Sequence, residues 1–447
     1  MFESPLPEVQ FASVILLLLL PIVLFAPLRW AIAAWLIMGN LDATGPGQFV
    51  SSTTGWLNLV KSLVLPLILA GRMRGVPVSV HKTLPARIWM ALTAYAAIAI
   101  VWAPYPYAAL KLVGNMVGIL GTIVVLEQAA RRGELNTRTI LLLILCSLGL
   151  AGFQTFYFGG ATYGFDGPDQ PARLSSFIVA QQFAAYLVCF VTLILWRKEM
   201  PFWTRLVTGS LVLGALALNG SRVWFFGTVI VVIAYFLVKR ARASMLVGFG
   251  ALASICFYLL VGAFQPYESG ILEDSTNRIV ATIRAFITGV DSSQRVGLRD
   301  LTFRTEIYQG VVNDLYASST AQLMFGHGTS SGAESVLRVY PNNYNAERLD
   351  PNRIVHNEWL RAAYEWGLVG LVGITMVFVT LALGLNSLRK TFPHHAGATA
   401  ALSFLGAFLL AFSGENVLAG AGNAVTMSLA LILAFIWVPP SDLKVSP

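Results

Sequence analysis

One of the five histidines, His356, stands where a long polar stretch gives way to an apolar one, in RIVHNEWLRAAYEWGLVG (353–370). An imidazole takes and returns a proton near neutral pH, so a ring at such a boundary is a candidate general base. If His356 opens a helix, Trp359, Leu360, Ala363 and Gly367 share its face, and Glu358, Arg361 and Glu365 point elsewhere. The positive helix end would then disfavour imidazolium and keep the ring neutral, as a base requires. The plainer reading is a His that caps the helix or bonds a loop carbonyl; spacing alone leaves both open.

Permanent cations are the second ingredient. Arg222 sits in the tight turn of LNGSRVWFFG, and Arg173 opens ARLSSFIVAQQFAAYL, where the amides of Gln181 and Gln182 must find partners in an apolar setting. The planar guanidinium fork fits phosphate oxygens and does not titrate; snorkelling to lipid headgroups is the alternative for an Arg at a helix end. RDLTFRTEIYQGVVNDLYAS (299–318) reads as an amphipathic helix with Leu301, Ile307, Tyr308, Val311, Val312 and Leu315 in a stripe and Arg304 near its centre. A cation in mid-stripe needs a partner. Arg338, Arg348, Arg353 and Arg361 could meet phosphates of an acceptor or pair with Glu334, Glu347, Asp350, Glu358 and Glu365; for Arg361 the pairs on its own helix are preferred. The glycines of MFGHGTSSG would let backbone approach a ligand or another segment closely, with helix breaking favoured over phosphate cradling.

Several chemistries have no support. No Walker pattern and no GxGxxG after a strand is present, which argues against nucleotide binding. No Asp-x-Asp occurs in the outer loops, so no metal and no cofactor is expected. Cys146, Cys189 and Cys256 lie inside apolar runs without metal or redox spacing.

The elements that must position these residues lie in lipid. Of 447 residues 56% are hydrophobic and 12% charged, with a mean hydropathy of +0.69, far from the roughly one-quarter charged of soluble domains. Spans are expected at about 57–71, 86–103, 108–127, 139–156, 175–195, 204–219, 223–238, 245–263, 366–388, 397–413 and 421–438, the windows being about 20 residues. Residues 11–39 form one broken span or two short ones around Pro27 and Arg29, for a total of 12 or 13. The first apolar run follows an acidic start and lacks a small-residue cleavage site, so it reads as retained. The predicted fold is an all-α polytopic integral membrane protein.

Basic clusters at Arg72, Arg74 and Lys82, at Arg131 and Arg132, at Arg197 and Lys198, at Lys239, Arg240 and Arg242, and at Arg389 and Lys390 mark five loops as cytoplasmic. They account for the net charge of +8 by topology, so nucleic acid is not an expected partner. Alternation puts Arg222, the 157–174 loop and the long 264–362 connection on the other side, with His327 and His356. That connection carries 11 of the 22 acidic residues, nine Arg and no Lys. It divides the chain into an amino-terminal membrane region (1–263), a loop region (264–362) and a carboxy-terminal membrane region (363–447).

These residues resemble the O-antigen ligase and polymerase superfamily. HNEWLRAAYEWGLVG is similar to its His-Asn signature, SRVWFFG to its Ser-Arg at the outer start of a span, FRTEIYQGVVNDL…LMFGHG to its loop Arg followed by a helix and Gly-x-Gly, and ARLSSFIVAQQFAAYL to its Arg-containing entry to a span. Where many members have Pro-Asn, this chain has Gln181-Gln182, which weakens the carry-over to Arg173. The resemblance implies about 12 spans of GT-C-like architecture with one large helical periplasmic loop, in a bacterial inner membrane. It also implies transfer of glycan from undecaprenyl diphosphate to lipid A core, metal-independent and inverting. His356 would be the general base; Arg222 and Arg304 would bind diphosphate; Arg173, Asn357, Arg353, Arg338 and Arg348 are further substrate-binding candidates. An O-antigen or exopolysaccharide polymerase and a protein O-oligosaccharyltransferase remain open within the same chemistry. A lipid-linked glycan transporter is the alternative of another class; it would need mid-membrane ionisable sites or an internal repeat, and Lys61, Lys111, Glu127 and Arg205 fall near span ends.

Overall fold

The computed structural model describes residues 7–42, 56–158, 174–178, 180–197, 199–239, 299–339, 344–345, 350–351, 355–392, 396–415, 417–418 and 424–437. The expected span at 245–263, and Arg173, Arg348 and Arg353, lie outside these residues. Within them the chain is an all-α membrane protein. Its helices are α1 (Pro7–Phe25), α2 (Leu28–Met38), α3 (Trp56–Leu59), α4 (Leu65–Arg72), α5 (Leu84–Ile98), α6 (Pro106–Arg131), α7 (Thr137–Phe158), α8 (Ala180–Trp196), α9 (Phe202–Asn219), α10 (Arg222–Lys239), α11 (Arg299–Tyr316), α12 (Thr320–Phe325), α13 (Gly332–Val339), α14 (Glu358–Thr391), α15 (Ala396–Phe412) and α16 (Ala424–Ala434). The strands among the described residues are a two-residue antiparallel ladder, Tyr344–Asn345 against Asp350–Pro351.

Among the described residues five segments are long and apolar enough to cross a membrane: Leu84–Trp102, Pro106–Arg131, Thr137–Phe158, Phe202–Asn219 and Glu358–Thr391. Shorter apolar helices stand at several of the other expected spans, including α8, α10, α15 and α16. The ambiguous beginning resolves into two helices broken at Pro27, whose ring cannot continue a helix. Between α3 and α4 a π-helical turn, Val60–Val64, joins the two into one rod and seats Lys61, 3% exposed, with Nζ 2.6 Å from the Leu41 carbonyl. Glu127 is buried too, its carboxylate accepting from Ser79 N, Val80 N and Arg131. Both charges tie one element to another.

Among the described residues, two of the buried apolar clusters hold the elements that carry the candidate site. The large one gathers the membrane helices, with Trp35, Phe183, Tyr186, Phe190, Phe404 and Phe412 among its side chains. In lipid the association rests on close packing, and small residues provide it: a Cβ built on Gly227 of α10 would lie 3.0 Å from the Ala407 Cβ of α15. The second core is small and separate, formed by Ile307 and Val311 of α11, Val336 of α13, Val355 just before α14 and Tyr364 within it. Ile307, Tyr308, Val311 and Leu315 of the expected stripe pack there and fasten the helix to the residues flanking His356.

α14 is kinked at Gly367, whose backbone (φ 61, ψ −159) is outside the helical region. The Gly-rich turn fills the break. His327 N donates to the Tyr364 carbonyl and Gly328 N to the Glu365 carbonyl, both at 3.0 Å, so carbonyls of the interrupted helix find donors. A Cβ on Gly367 would lie 2.5 Å from the Met324 carbonyl oxygen, and one on Gly326 2.2 Å from that of Glu365. Of the two uses open to these glycines, the structure takes approach to another chain segment.

Candidate active site

His356 is half-buried and lies two residues before the first residue of α14. Its neighbour Asn357 is the N-cap, its side-chain oxygen accepting from Trp359 N at 3.0 Å and Leu360 N at 3.1 Å. The capping role left open for the histidine therefore belongs to the asparagine, and the Asn357 oxygen is engaged with the helix end. The backbone at His356 is held from the other side by Tyr308 of α11, whose hydroxyl donates to the His356 carbonyl at 2.6 Å. Tyr308 is one helical turn from Arg304, so one face of α11 touches the histidine and carries the cation.

Arg304 meets its expected partner in the turn after α15. Nη1 donates to the Gly414 carbonyl, and Nη1 and Nη2 lie 3.3 and 3.4 Å from Glu415 Oε1. The same turn is tied to α14 twice more: Trp359 Nε1 donates to Ser413 Oγ at 3.1 Å, and Leu418 N donates to Glu358 Oε1 at 2.7 Å. It also abuts α10, since a Cβ on Gly414 would lie 3.5 Å from Val223 Cγ2, next in sequence to Arg222. The loop arginine, the first turn of α14 and the start of α10 thus meet residues 413–418, and Tyr308 links His356 to the same helix as that arginine. Sequence reading missed this turn. Alternation places it on the outer side, and Glu415 is a lone acid between two apolar runs.

The other candidates fare differently. Leu174, the residue after Arg173, is pinned to the end of α9: Leu174 N donates to the Leu218 carbonyl, and Asn219 Nδ2 donates to the carbonyls of Leu174 and Ala180. The segment following Arg173 therefore runs beside the turn that leads to Arg222. Gln181 Oε1 is buried with no hydrogen-bond partner, against the expectation for that amide. Arg338 takes the ion-pair alternative with an acid not foreseen, Asp314 at 2.7 Å; Asp314 is ten residues from Arg304 along α11, about 15 Å at 1.5 Å per residue. Arg338 is not brought to the 413–418 turn.

The polar face of α14 departs from a solvated surface. Arg361 lies between Glu358, at 3.5 Å, and Glu365, at 2.8 Å, with all three side chains at most 3% exposed. Glu365 Oε2 also accepts from Ser330 N at 2.8 Å. The pairs expected of Arg361 form, but they are an interior brace joining α14 to the Gly-rich turn and to residue 418. His327, the other outer histidine, is absorbed in the same way: its ring stacks on Tyr364 with centroids 4.1 Å apart, Nδ1 lies 3.1 Å from the Tyr364 carbonyl, and Nε2 lies 3.0 Å from Ser318 Oγ. Among the described residues no group of three or more His, Cys, Asp or Glu is placed to hold a metal ion.

A bundle of apolar helices, with an imidazole and a guanidinium on segments joined through a small apolar core, defines a helical membrane protein. Residues 207–375 match the family described as O-antigen ligase, and this match supports a likeness to the O-antigen ligase superfamily. The matched stretch contains Arg222, Arg304 and His356 and ends before Glu415. Enzymes of this superfamily are membrane glycosyltransferases of the ligase and polymerase type acting on lipid-linked glycans. No curated protein matches the chain significantly.

Proposed function

We propose that the protein is an O-antigen ligase of a bacterial inner membrane, moving glycan from undecaprenyl diphosphate to lipid A core at the periplasmic face. The observation that carries the reading is that one helix, α11, touches His356 through Tyr308 and carries Arg304 to the turn that abuts the start of α10. The acceptor hydroxyl oxygen attacks the anomeric carbon as the bond from that carbon to the diphosphate oxygen breaks, and His356 takes the hydroxyl proton. Negative charge grows on the leaving diphosphate, and Arg222 and Arg304 face it with charge that does not titrate. The base and the cations are separate groups, so the imidazole has no need to be charged. In-line displacement inverts the anomeric carbon. The reading is metal-independent, since guanidinium does the work that a divalent ion would otherwise do.

Purified, folded protein incubated with carrier-linked glycan tests this. With lipid A core present a single core-dependent product is expected; a ladder formed without core would make the protein a polymerase, and transfer to protein hydroxyls an O-oligosaccharyltransferase. Removing the base in His356→Ala lowers turnover by about 10²–10⁴-fold, and Arg222→Ala and Arg304→Ala each cost about 10²-fold or more. Near-normal turnover in these variants would sink the residue assignments. Flux of labelled carrier lipid through proteoliposomes without any glycan transfer would point to a transporter instead.

A further inference from the structure

We propose that Glu415 is the resident counter-anion of Arg304, exchanged for a phosphate oxygen when the diphosphate of the donor binds. The inference rests on the reading of Arg304 as a diphosphate ligand. The guanidinium meets two unlike acceptors in this turn. The Gly414 carbonyl accepts from Nη1, and Glu415 Oε1 lies 3.3 and 3.4 Å from Nη1 and Nη2, beyond the roughly 2.7–2.9 Å of a strong charge-assisted bond. The carboxylate therefore neutralises the guanidinium without gripping it. Both side chains are only 12% exposed, so a guanidinium with no counter-anion would be costly there.

The position of the acid points the same way. Glu415 follows the carboxy-terminal end of α15, with its N–H on the Ala411 carbonyl at 2.8 Å, and the carbonyl-rich end of a helix disfavours a negative charge. Local helix stability does not explain an acid there; the arginine across from it does. That same helix end favours Arg304 as a cation, so the guanidinium remains held by Gly414 while its anion is exchanged. The turn has its own fastenings at Ser413 and Leu418, independent of the Glu415–Arg304 pair. A diphosphate arriving with Glu415 in place would meet like charge, and the carboxylate thereby sets the affinity of the empty site for the donor headgroup.

Binding of inorganic diphosphate to the detergent-solubilised full chain, read calorimetrically with a melting curve for each variant, tests the inference. Glu415→Gln keeps the shape and removes the charge; its dissociation constant is expected to fall about five- to tenfold, the size of one like-charge repulsion near a protein surface. Glu415→Asp keeps the charge and is expected to bind as the parent does. Equal or weaker binding by Glu415→Gln, or the same tightening in Glu415→Asp, overturns the counter-anion role. Arg304→Ala reports separately on the underlying reading, and binding that it leaves unchanged removes the diphosphate role of Arg304 and the inference with it. Absence of binding in both the parent and Glu415→Gln does the same. In transfer assays Glu415→Gln lowers KM for the carrier-linked donor without raising kcat; a merely structural loss would lower kcat and leave KM where it was.

Discussion

At the scale of single residues, the site separates what does chemistry from what holds it. Tyr308 donates to the His356 backbone carbonyl at 2.6 Å, so it is a positioning residue. Tyr308→Phe is expected to cost about 1 kcal/mol of stability and to lower kcat several-fold with KM for the donor nearly unchanged; an equal rise in KM would assign the hydroxyl to substrate. Arg361 is the opposite case, a charge inside the protein with no access to solvent. Because Glu358 and Glu365 would be left buried and unpaired, Arg361→Ala is expected to destabilise by about 3–5 kcal/mol, read as an early melting transition. Wild-type melting would show that the brace carries no strain of charge. Arg338, 61% exposed on Asp314, is worth at most about 1 kcal/mol, and Arg338→Ala is expected to leave transfer unaltered in the ligase assay.

At the scale of elements, the kink of α14 is what allows one long helix to serve both a membrane core and an outer site. Before Gly367, Leu360 and Tyr364 pack in the small core of Ile307, Val311, Val336 and Val355, while Ala362 and Trp366 already join the apolar bundle that Ile374, Phe378 and Leu385 enter after the kink. The Gly-rich turn supplies donors to the broken helix and is itself fastened to α5, where the Thr329 hydroxyl donates to the Ala96 carbonyl at 2.6 Å and accepts from Trp366 Nε1 at 3.0 Å. Gly367→Ala puts a methyl 2.5 Å from the Met324 carbonyl oxygen in a backbone region that side chains avoid; a loss of about 1–3 kcal/mol is expected, with the melting temperature reduced and transfer lost in proportion. A variant that melts like the parent would mean that α14 straightens without cost.

At the scale of the whole molecule, the buried charges foreseen near span ends join elements. Lys61 reaches the Leu41 carbonyl and Glu127 holds residues 79–80 and Arg131, which accords with a rigid scaffold better than with ionisable groups along a transport path. Transfer activity is accordingly expected to survive a chelator, and its abolition by chelation with recovery on adding a divalent ion would replace the guanidinium mechanism. Much of the scaffold was legible in the chain. Apolar runs interrupted by Arg and Lys located the helices to within a few residues, because lipid demands an uninterrupted run with satisfied backbone groups whatever the neighbours are. The stripe of α11 and the need of Arg304 for a partner followed from period and burial in the same local way. What local rules could not decide was which element would answer that need. The partner came from residue 415, more than a hundred positions away, because α15 is packed against α10 and ends beside α11. Nor could periodicity tell that the charged face of α14 is interior, since the covering turn at 326–331 is a distant Gly-rich segment and only its folded position removes Arg361 from water. The sequence by itself determined a helical membrane protein carrying a histidine and arginines that require partners. The tertiary structure alone decided that α11 would touch His356 and bring Arg304 to Gly414 and Glu415, because long-range packing selects the partners of a charge while local composition sets only that a partner is required.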